Sequence, residues 1–390
     1  MKKSRFKINL LGRVAIAIVL GVGLGLCLPH SVVRVFATFN AVFAQFLGFL
    51  VPLIIAGLVT SAIASIGKSA GKLLVVTVLL AYGNTVFSGL LSYGTSVAVF
   101  PHLIDPVAAS HLTAGGVQIN PYFTISIPPM FDVMTALVFA FAMGLGIAFS
   151  GSPTLRRVFD EFADIVMRVI SVALVPLLPL YILGMFMIMA AMGEAWHMIK
   201  VFMSIIVVIF VMHIGLLLLQ YVLAGMVARR NPLRALRTML PAYLTALGTS
   251  SSAATIPVTL KQTRLNGVDE GVSGFVVPLC ATIHLSGSAM KITACAVALM
   301  LMHGSMPTVG VMVGFVMMLG VMMVAAPGVP GGAIMAALGV LQTMLGFDES
   351  MQALMIALYI AMDSFGTACN VTGDGAIAMV VNTLAHRHKG

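Results

Sequence analysis

The chain has 390 residues, of which 60% are hydrophobic and only 8% are charged, and its mean hydropathy is +1.09. A soluble domain carries about 25% charged residues because water must solvate its surface. The composition therefore excludes a soluble fold and indicates an integral membrane protein whose surface is covered by lipid. The net charge of +9 comes from basic residues scattered in short groups between apolar runs, so we expect no nucleic-acid partner.

Ten apolar stretches are candidates for membrane segments. A helix that crosses the hydrocarbon core needs about 20 residues, and each stretch is long enough to provide one. The stretches lie at about 9–29, 38–66, 72–100, 127–150, 163–193, 198–228, 240–260, 272–303, 308–345 and 350–384.

Basic residues alternate between successive loops. Groups of Lys and Arg precede the first stretch and follow the second, fourth and sixth, whereas the loops between them hold almost none. Cytoplasmic loops carry an excess of Lys and Arg, so this pattern predicts a cytoplasmic N-terminus and six crossings. The basic run at 386–389 predicts a cytoplasmic C-terminus.

Two stretches break the alternation. The stretch 240–260 has basic residues on both sides and a polar centre, ALGTSSSAATIP, whereas 308–345 has none on either flank and the centre AAPGVPGGA. Irregular backbone occurs at membrane depth only where protein buries it or a cavity borders it. We interpret both as re-entrant helical hairpins that enter from opposite faces, which is typical of a transporter site near the midplane. The alternative is two ordinary kinked spans.

The predicted fold class is therefore an all-α integral membrane protein with eight transmembrane helices and two re-entrant helical hairpins. Its last span carries a polar stripe, because at 100° per residue Asp363, Thr367, Asn370 and Asp374 fall on one face. A carboxylate at membrane depth costs about 2.5–3.5 kcal/mol on insertion scales, so we expect cations nearby. The alternative is a polar packing seam between helices.

The same stripe argues against an enzyme. An intramembrane aspartyl protease needs two carboxylates that share a proton. Asp363 and Asp374 are eleven residues apart, which corresponds to about 16 Å along a helix. We therefore expect no enzymatic activity.

A second polar stripe lies in the stretch 272–303. His284, Ser288 and Lys291 follow at i, i+4 and i+7, so we expect them to face the last span. A lysine inside a span needs an anionic partner, and Asp363 and Asp374 are the candidates. The histidine is either a packing group or a proton carrier, since imidazole changes its charge between pH 5 and 8.

Four motifs in the C-terminal half carry a family resemblance. The segments SSSAATIP, PLCATIHLSGSA, GVPGGA and DSFGTACNVTGD follow one another between about 235 and 384. In order and spacing they resemble the dicarboxylate/amino acid:cation symporters, the glutamate transporter homologues, and within that family the neutral amino acid (serine/threonine) carriers. The resemblance implies a homotrimeric secondary transporter that works as an elevator.

The resemblance also implies a division of the chain and a set of site residues. Residues 1–234 would form mostly scaffold and trimerisation spans, with the third and sixth spans joining the transport domain at 235–390. Asp363 would hold the substrate ammonium, and Asn370 with Ser251 and Ser252 would hold its α-carboxylate. The remaining pocket residues would be Thr367, Ser288 and Gly366, with Gly328 and Val329 as the outer gate.

One departure from the family concerns the substrate. Members that carry acidic substrates have an Arg immediately before the Thr, where this chain has Gly366. Without a guanidinium an acidic side chain would enter the pocket unpaired, at a cost of several kcal/mol. We therefore expect a small neutral amino acid such as serine, threonine or alanine. The alternatives are a sodium-coupled carrier of a dicarboxylate or acidic amino acid, and a channel-like anion pore.

A second departure concerns the coupling ion. The family's Asn-Met-Asp-Gly-Thr run reads His284-Leu285-Ser286-Gly287-Ser288 here, so one carboxylate that helps to hold sodium is lost. Asp374 and Asn370 stay as the expected ligands of a sodium ion, and no other cofactor is expected. Lys291 adds a fixed positive charge that could neutralise Asp374. Proton coupling, reduced sodium coupling and sodium independence all stay open, and we expect a bacterial inner membrane location.

Overall fold

The structure is a computed structural model that describes residues 10–66, 72–104, 119–193, 195–324, 326 and 330–386. Within these ranges the regular secondary structure is helical, and no strand is present. The all-α class predicted from the composition is confirmed for this part of the chain.

Most helices of the N-terminal half are long and apolar. Two pairs of consecutive helices are joined end to end by a single turn of π-helix, at Ile55–Val59 and at Ile170–Leu174. The helices are α1 (Leu10–Cys27), α2 (His30–Ile54), α3 (Thr60–Ile66), α4 (Lys72–Val99), α5 (Val133–Ser150), α6 (Pro153–Val169), α7 (Val175–Ala191) and α8 (Ala195–Ala228).

The C-terminal half consists of shorter helices separated by breaks. They are α9 (Pro232–Thr238), α10 (Leu240–Thr249), α11 (Ser252–Leu265), α12 (Glu270–Ile283), α13 (Ser286–Met302), α14 (Val309–Val324), α15 (Gly332–Leu345), α16 (Glu349–Ala361) and α17 (Asp363–His386). Helix α13 is buried along its whole length, so it lies at the centre of the molecule.

Several helices are long and apolar enough to cross a membrane. Among the described residues five segments meet this requirement, and a sixth does so if α16 and α17, which meet at a bend of 62°, are taken as one span. Shorter apolar helices occur in α1, α5, α14 and α15. The chain is therefore a multi-pass membrane protein. The count of eight spans stays a prediction, since it also requires α1 and α5 to cross.

Two glycines allow α1 to pack very closely on α7. A Cβ atom on Gly21 would lie 2.5 Å from the carbonyl oxygen of Leu183, and one on Gly25 would lie 2.3 Å from that of Met187. Both glycines and both carbonyls are four residues apart, so the two helices run in parallel. In lipid the hydrophobic effect does not bring apolar helices together, so they associate through close packing at small residues such as these glycines.

Helices α10 and α11 form the first hairpin. The chain reverses at Ser250, which adopts a left-handed conformation (φ 50°), and the Ser251 side chain accepts a hydrogen bond from the Ala254 N–H at 3.3 Å. At the other end the Asn266 amide donates to the Ala235 carbonyl at 3.0 Å. Residues 235 and 266 thus lie together, whereas one kinked span would place them at opposite ends.

Helices α14 and α15 form the second hairpin, which begins beyond the C-terminal end of α13. A Cβ on Gly314 would lie 3.4 Å from Met344 Cε, so the start of α14 adjoins the end of α15. Gly320 packs on Val86 and Tyr82 of α4 in the same way. The expected gate residues Gly328 and Val329 lie outside the described residues.

The stretches 272–303 and 350–384 were each predicted as a span, and Glu270–Met302 is one of the segments long enough to cross; both stretches nevertheless contain a break in the helix. The first is broken at His284 (φ −105°, ψ 98°) and Leu285, between α12 and α13, and the second at Met362, between α16 and α17. Hydropathy does not report such breaks, because the backbone groups that they free bind side chains from other helices. At the first break Asn370 Oδ1 of α17 accepts the Gly287 N–H at 2.8 Å, and at the second Lys291 Nζ of α13 lies 3.3 Å from the Tyr359 carbonyl oxygen. Ser88 of α4 also donates to the Ser286 carbonyl at 2.8 Å, and His213 of α8 contacts the Gly287 carbonyl at 2.9 Å.

The first hairpin predicts a specific labelling pattern. Leu233 and Leu265 are exposed at its base, so single cysteines there should both react with a membrane-impermeant maleimide added on the cytoplasmic side, and neither should react from outside. The background is Cys27→Ser, because the other described cysteines are buried. As a control, Ser305→Cys beyond the far end of α13 should react only from outside. Labelling of positions 233 and 265 from different sides would show that α10 and α11 form a span.

Candidate functional site

The tips of both hairpins meet at the first two residues of α17. The Ser250 hydroxyl at the first tip lies 2.7 Å from the Ser364 hydroxyl. The Gly331 N–H at the second tip donates to Asp363 Oδ2 at 2.8 Å. Because the hairpins come from opposite ends of the molecule, the start of α17 lies between their tips.

Three pairs of polar side chains join α17 to the break between α12 and α13. Lys291 Nζ lies 3.5 Å from Asp363 Oδ1, the Asn370 amide donates to Ser288 Oγ at 3.1 Å, and His284 Nδ1 lies 2.8 Å from Asp374 Oδ1. All six side chains are buried. The predicted facing of the two polar stripes is confirmed. The helical spacing inferred for His284 is wrong, because this residue precedes α13 in extended backbone.

Asn370 caps the beginning of α13. Its Oδ1 accepts the backbone N–H of Gly287 at 2.8 Å and that of Ser288 at 3.3 Å. The first N–H groups of a helix have no partner within it, and in lipid water cannot supply one. Thr367, one turn earlier on α17, donates its hydroxyl to the Asp363 carbonyl at 2.9 Å.

Lys291 binds the bend between α16 and α17. Its Nζ lies 3.3 Å from the Tyr359 carbonyl oxygen, 3.4 Å from that of Met362 and 3.4 Å from the centroid of the Tyr359 ring. The carbonyls at a helix C-terminus carry a partial negative charge, and an aromatic face attracts a cation. The ammonium is therefore neutralised at Asp363. Of the two predicted candidate partners of Lys291, Asp363 is confirmed, and the neutralisation of Asp374 is wrong, since His284 contacts that carboxylate.

Gly366 provides the space for this ammonium. A Cβ atom on residue 366 would lie 2.9 Å from Lys291 Nζ and 3.3 Å from Cε. The sequence analysis inferred that an acidic substrate side chain would be unpaired here because the guanidinium is missing. The structure corrects the premise, because Lys291 of α13 brings a positive charge to the same place from another helix.

Polar residues of α4 and α8 complete the site, and the sequence reasoning missed them. The Gln220 amide donates to Ser286 Oγ at 3.2 Å and to Asn84 Oδ1 at 3.1 Å. The sequence did contain a signal for them, because polar residues at helical spacing form a stripe in each of these two helices. In α4 it comprises Asn84, Ser88 and Ser92, and in α8 His213 and Gln220.

The expected ligands of a sodium ion are engaged with nitrogen donors. Asp374 Oδ1 contacts His284, and Asn370 Oδ1 accepts two backbone N–H groups. Within the described ranges no group of three or more His, Cys, Asp and Glu side chains is placed to hold a metal ion. A hard cation such as sodium prefers several oxygen ligands, whereas the described contacts of Asp374 Oδ1 and Asn370 Oδ1 are to nitrogen donors.

A multi-pass helical protein whose broken helices bring buried charges together at their breaks has the architecture of a secondary transporter. Comparison with known families is specific on this point: residues 10–384 match the Sodium:dicarboxylate symporter family, and the chain belongs to that family. The family consists of transporters, which are not enzymes.

The chain is similar to relatives with different named substrates. It is 26% identical to the serine/threonine transporter SstT of Acinetobacter baumannii over 408 residues, which cover 98% of both chains. It is 31% identical over 240 residues to excitatory amino acid transporter 1 of Bos taurus, which covers 60% of this chain and 43% of that protein. Excitatory amino acid transporter 4 of Mus musculus is 30% identical over 277 residues. The chain thus aligns with less than half of the excitatory amino acid transporters.

The close contact between α13 and α17 predicts a difference between two glycines. A Cβ on Gly287 would lie 2.7 Å from Cys369 Cβ and 2.8 Å from the Gly366 carbonyl, whereas one on Gly274 of α12 meets nothing within 4 Å. Gly287→Ala should therefore destabilise the protein by about 1–3 kcal/mol through overpacking. Gly274→Ala should be neutral or stabilise it by up to about 1 kcal/mol.

The melting midpoint of each purified variant in detergent measures this difference. If Gly287→Ala melts at the wild-type temperature, α13 and α17 are not in the contact described here.

Proposed function

We propose that this protein is a secondary active transporter of a small neutral amino acid such as serine, threonine or alanine. The observation that carries the proposal is the meeting of both hairpin tips at Asp363 and Ser364. A site enclosed between two tips from opposite ends can open to either side of the membrane in turn. In this proposal residues 235–390 and the third and sixth spans form the mobile transport domain of a homotrimeric elevator.

The side chains at the start of α17 suit a zwitterion. Asp363 would bind the substrate ammonium, and Asn370 with Ser251 and Ser252 would bind its carboxylate next to the N-termini of α13 and α11, where helix dipoles favour an anion. Thr367 and Ser288 would line the pocket. The Lys291–Asp363 pair has no net charge, and a zwitterion adds none. The loaded site then needs no further cation.

We further propose that sodium contributes little to coupling. The nitrogen donors on Asp374 and Asn370 support this proposal, as does the replacement of the family's acidic residue by Ser286, whose hydroxyl bonds to Gln220. Proton coupling and sodium-independent transport are the mechanisms that this leaves. The proposed location is the bacterial inner membrane, with both termini in the cytoplasm.

One observation favours a second candidate, a sodium-coupled carrier of an acidic amino acid or dicarboxylate. Lys291 lies beside Gly366 and could pair with a second carboxylate, and the excitatory amino acid transporters are similar in sequence. An acidic substrate would leave the site with one unbalanced negative charge, so it would require a cation such as sodium. A channel-like anion pore is separated from both carriers by counterflow, which a pore cannot support.

The first functional test concerns selectivity. In liposomes or by calorimetry, serine, threonine or alanine should bind at least about tenfold more tightly than aspartate, a difference of about 1.4 kcal/mol. Asp363→Asn should abolish binding because the ammonium loses its carboxylate. Asp164→Asn, the same change on the exposed surface of α6, should bind as the wild type does. Tighter binding of aspartate would instead support the second candidate.

The second functional test concerns sodium. Serine affinity measured in choline and in sodium buffer should agree within about threefold. Ser286→Asp, which restores a carboxylate beside Gln220, should introduce a sodium response. Uptake should then be measured with sodium and proton gradients imposed separately. A hundredfold gain in wild-type affinity on adding sodium would contradict the proposed coupling.

A further inference from the structure

We propose that Lys291 is a tethered counter-cation for Asp363 that allows the unloaded transport domain to cross the membrane. The carrier then performs net transport and is not restricted to exchange of one substrate molecule for another. This inference rests on the proposed function, because it concerns the return step of the same carrier.

The ammonium of Lys291 is held in place by several groups of the chain. Among the described residues Asp363 has one ion-pair partner, Lys291, and both side chains are buried. The ammonium is also bound by groups that the substrate would not use, namely two carbonyls at the end of α16 and the Tyr359 ring. Lys291 therefore keeps its position whether or not a substrate ammonium occupies Asp363.

Asp363 also binds the tip of the second hairpin. Its Oδ2 accepts the N–H of Gly331 at this tip, while its other oxygen faces Lys291. Both contacts are made by groups of the chain itself, so Lys291 balances the charge of Asp363 while that carboxylate binds the hairpin tip.

The loaded and the unloaded carrier differ in the partners of Asp363. In the loaded state the substrate ammonium also balances Asp363, and the substrate carboxylate lies at helix N-termini. In the unloaded state Lys291 is the remaining partner. An unpaired carboxylate at membrane depth is strongly disfavoured, so removal of Lys291 should impair the return of the empty carrier much more than the movement of the loaded carrier.

The experiment compares two fluxes of labelled serine in the same proteoliposomes. Net efflux is measured into a medium without substrate, and exchange is measured as counterflow of labelled substrate. In Lys291→Met the ratio of net efflux to exchange should fall at least tenfold relative to the wild type. Lys261→Met, which removes an exposed lysine of α11, should leave the ratio unchanged.

Two further variants keep the test decisive. Lys291→Met combined with Gly366→Lys returns a cation to the same space from α17, because a Cβ on residue 366 lies beside the wild-type position of Lys291 Nζ. This double variant should restore the ratio of net efflux to exchange. If Lys291→Met does not fold, Gly366→Ala is used, because its Cβ displaces the ammonium while the charge of the protein is unchanged. Its ratio should also fall.

The outcomes separate this inference from the proposed function. A wild-type protein that carries no amino acid in either assay contradicts the proposed function. A wild type that transports, together with Lys291→Met or Gly366→Ala variants whose two fluxes fall in equal proportion, overturns the role of Lys291.

Discussion

Backbone groups that leave a helix inside a membrane find no water to bind, and the rest of this structure depends on how they are satisfied. The chain interrupts its helices at His284–Leu285 and at Met362, and side chains from other helices bind groups that these breaks free. Asn370 accepts the first N–H groups of α13, and Lys291 binds carbonyls at the end of α16. Ser88 and His213 contact carbonyls in the first turn of α13 as well. The requirement for backbone partners therefore collects polar residues of four helices around the two breaks, and this collection is the candidate site.

The buried charges follow the same rule of internal pairing. Asp363 faces Lys291 and Asp374 faces His284, so each membrane carboxylate already has a nitrogen donor from the chain. In a symporter that relies on dissolved cations, such carboxylates would be completed by the ions themselves. Here the partners are side chains of the protein itself, Lys291 for Asp363 and His284 for Asp374. The proposed weak dependence on sodium rests on these two pairs.

Much of this arrangement could be predicted from the sequence, and the reasons for success and failure are physical. Basic residues on both flanks of 240–260 and on neither flank of 308–345, together with irregular centres, predicted the hairpins, and the 100° rotation per residue predicted the stripe from Asp363 to Asp374. The breaks were missed because they depend on hydrogen bonds from distant helices, which hydropathy does not report. The partner of Lys291 could not be assigned from the sequence, because Asp363 and Asp374 lie on the same stripe. The bend at Met362, which brings Asp363 to Lys291, decides between them. Gln220 was missed because the candidate site residues were selected around charged side chains, and Gln220 is uncharged.

The contact between Gly366 and Lys291 also constrains how specificity can evolve. Two substitutions whose side chains occupy one volume are strongly coupled. A mutation of Gly366 to a long basic residue brings two like charges into one buried space while Lys291 is present, and it becomes acceptable only after that lysine is lost. The order of mutation is therefore restricted. The route from this pocket to one with a guanidinium on α17 passes through an intermediate that has neither cation, and the tolerance of a lineage for that intermediate determines whether it can change its substrate.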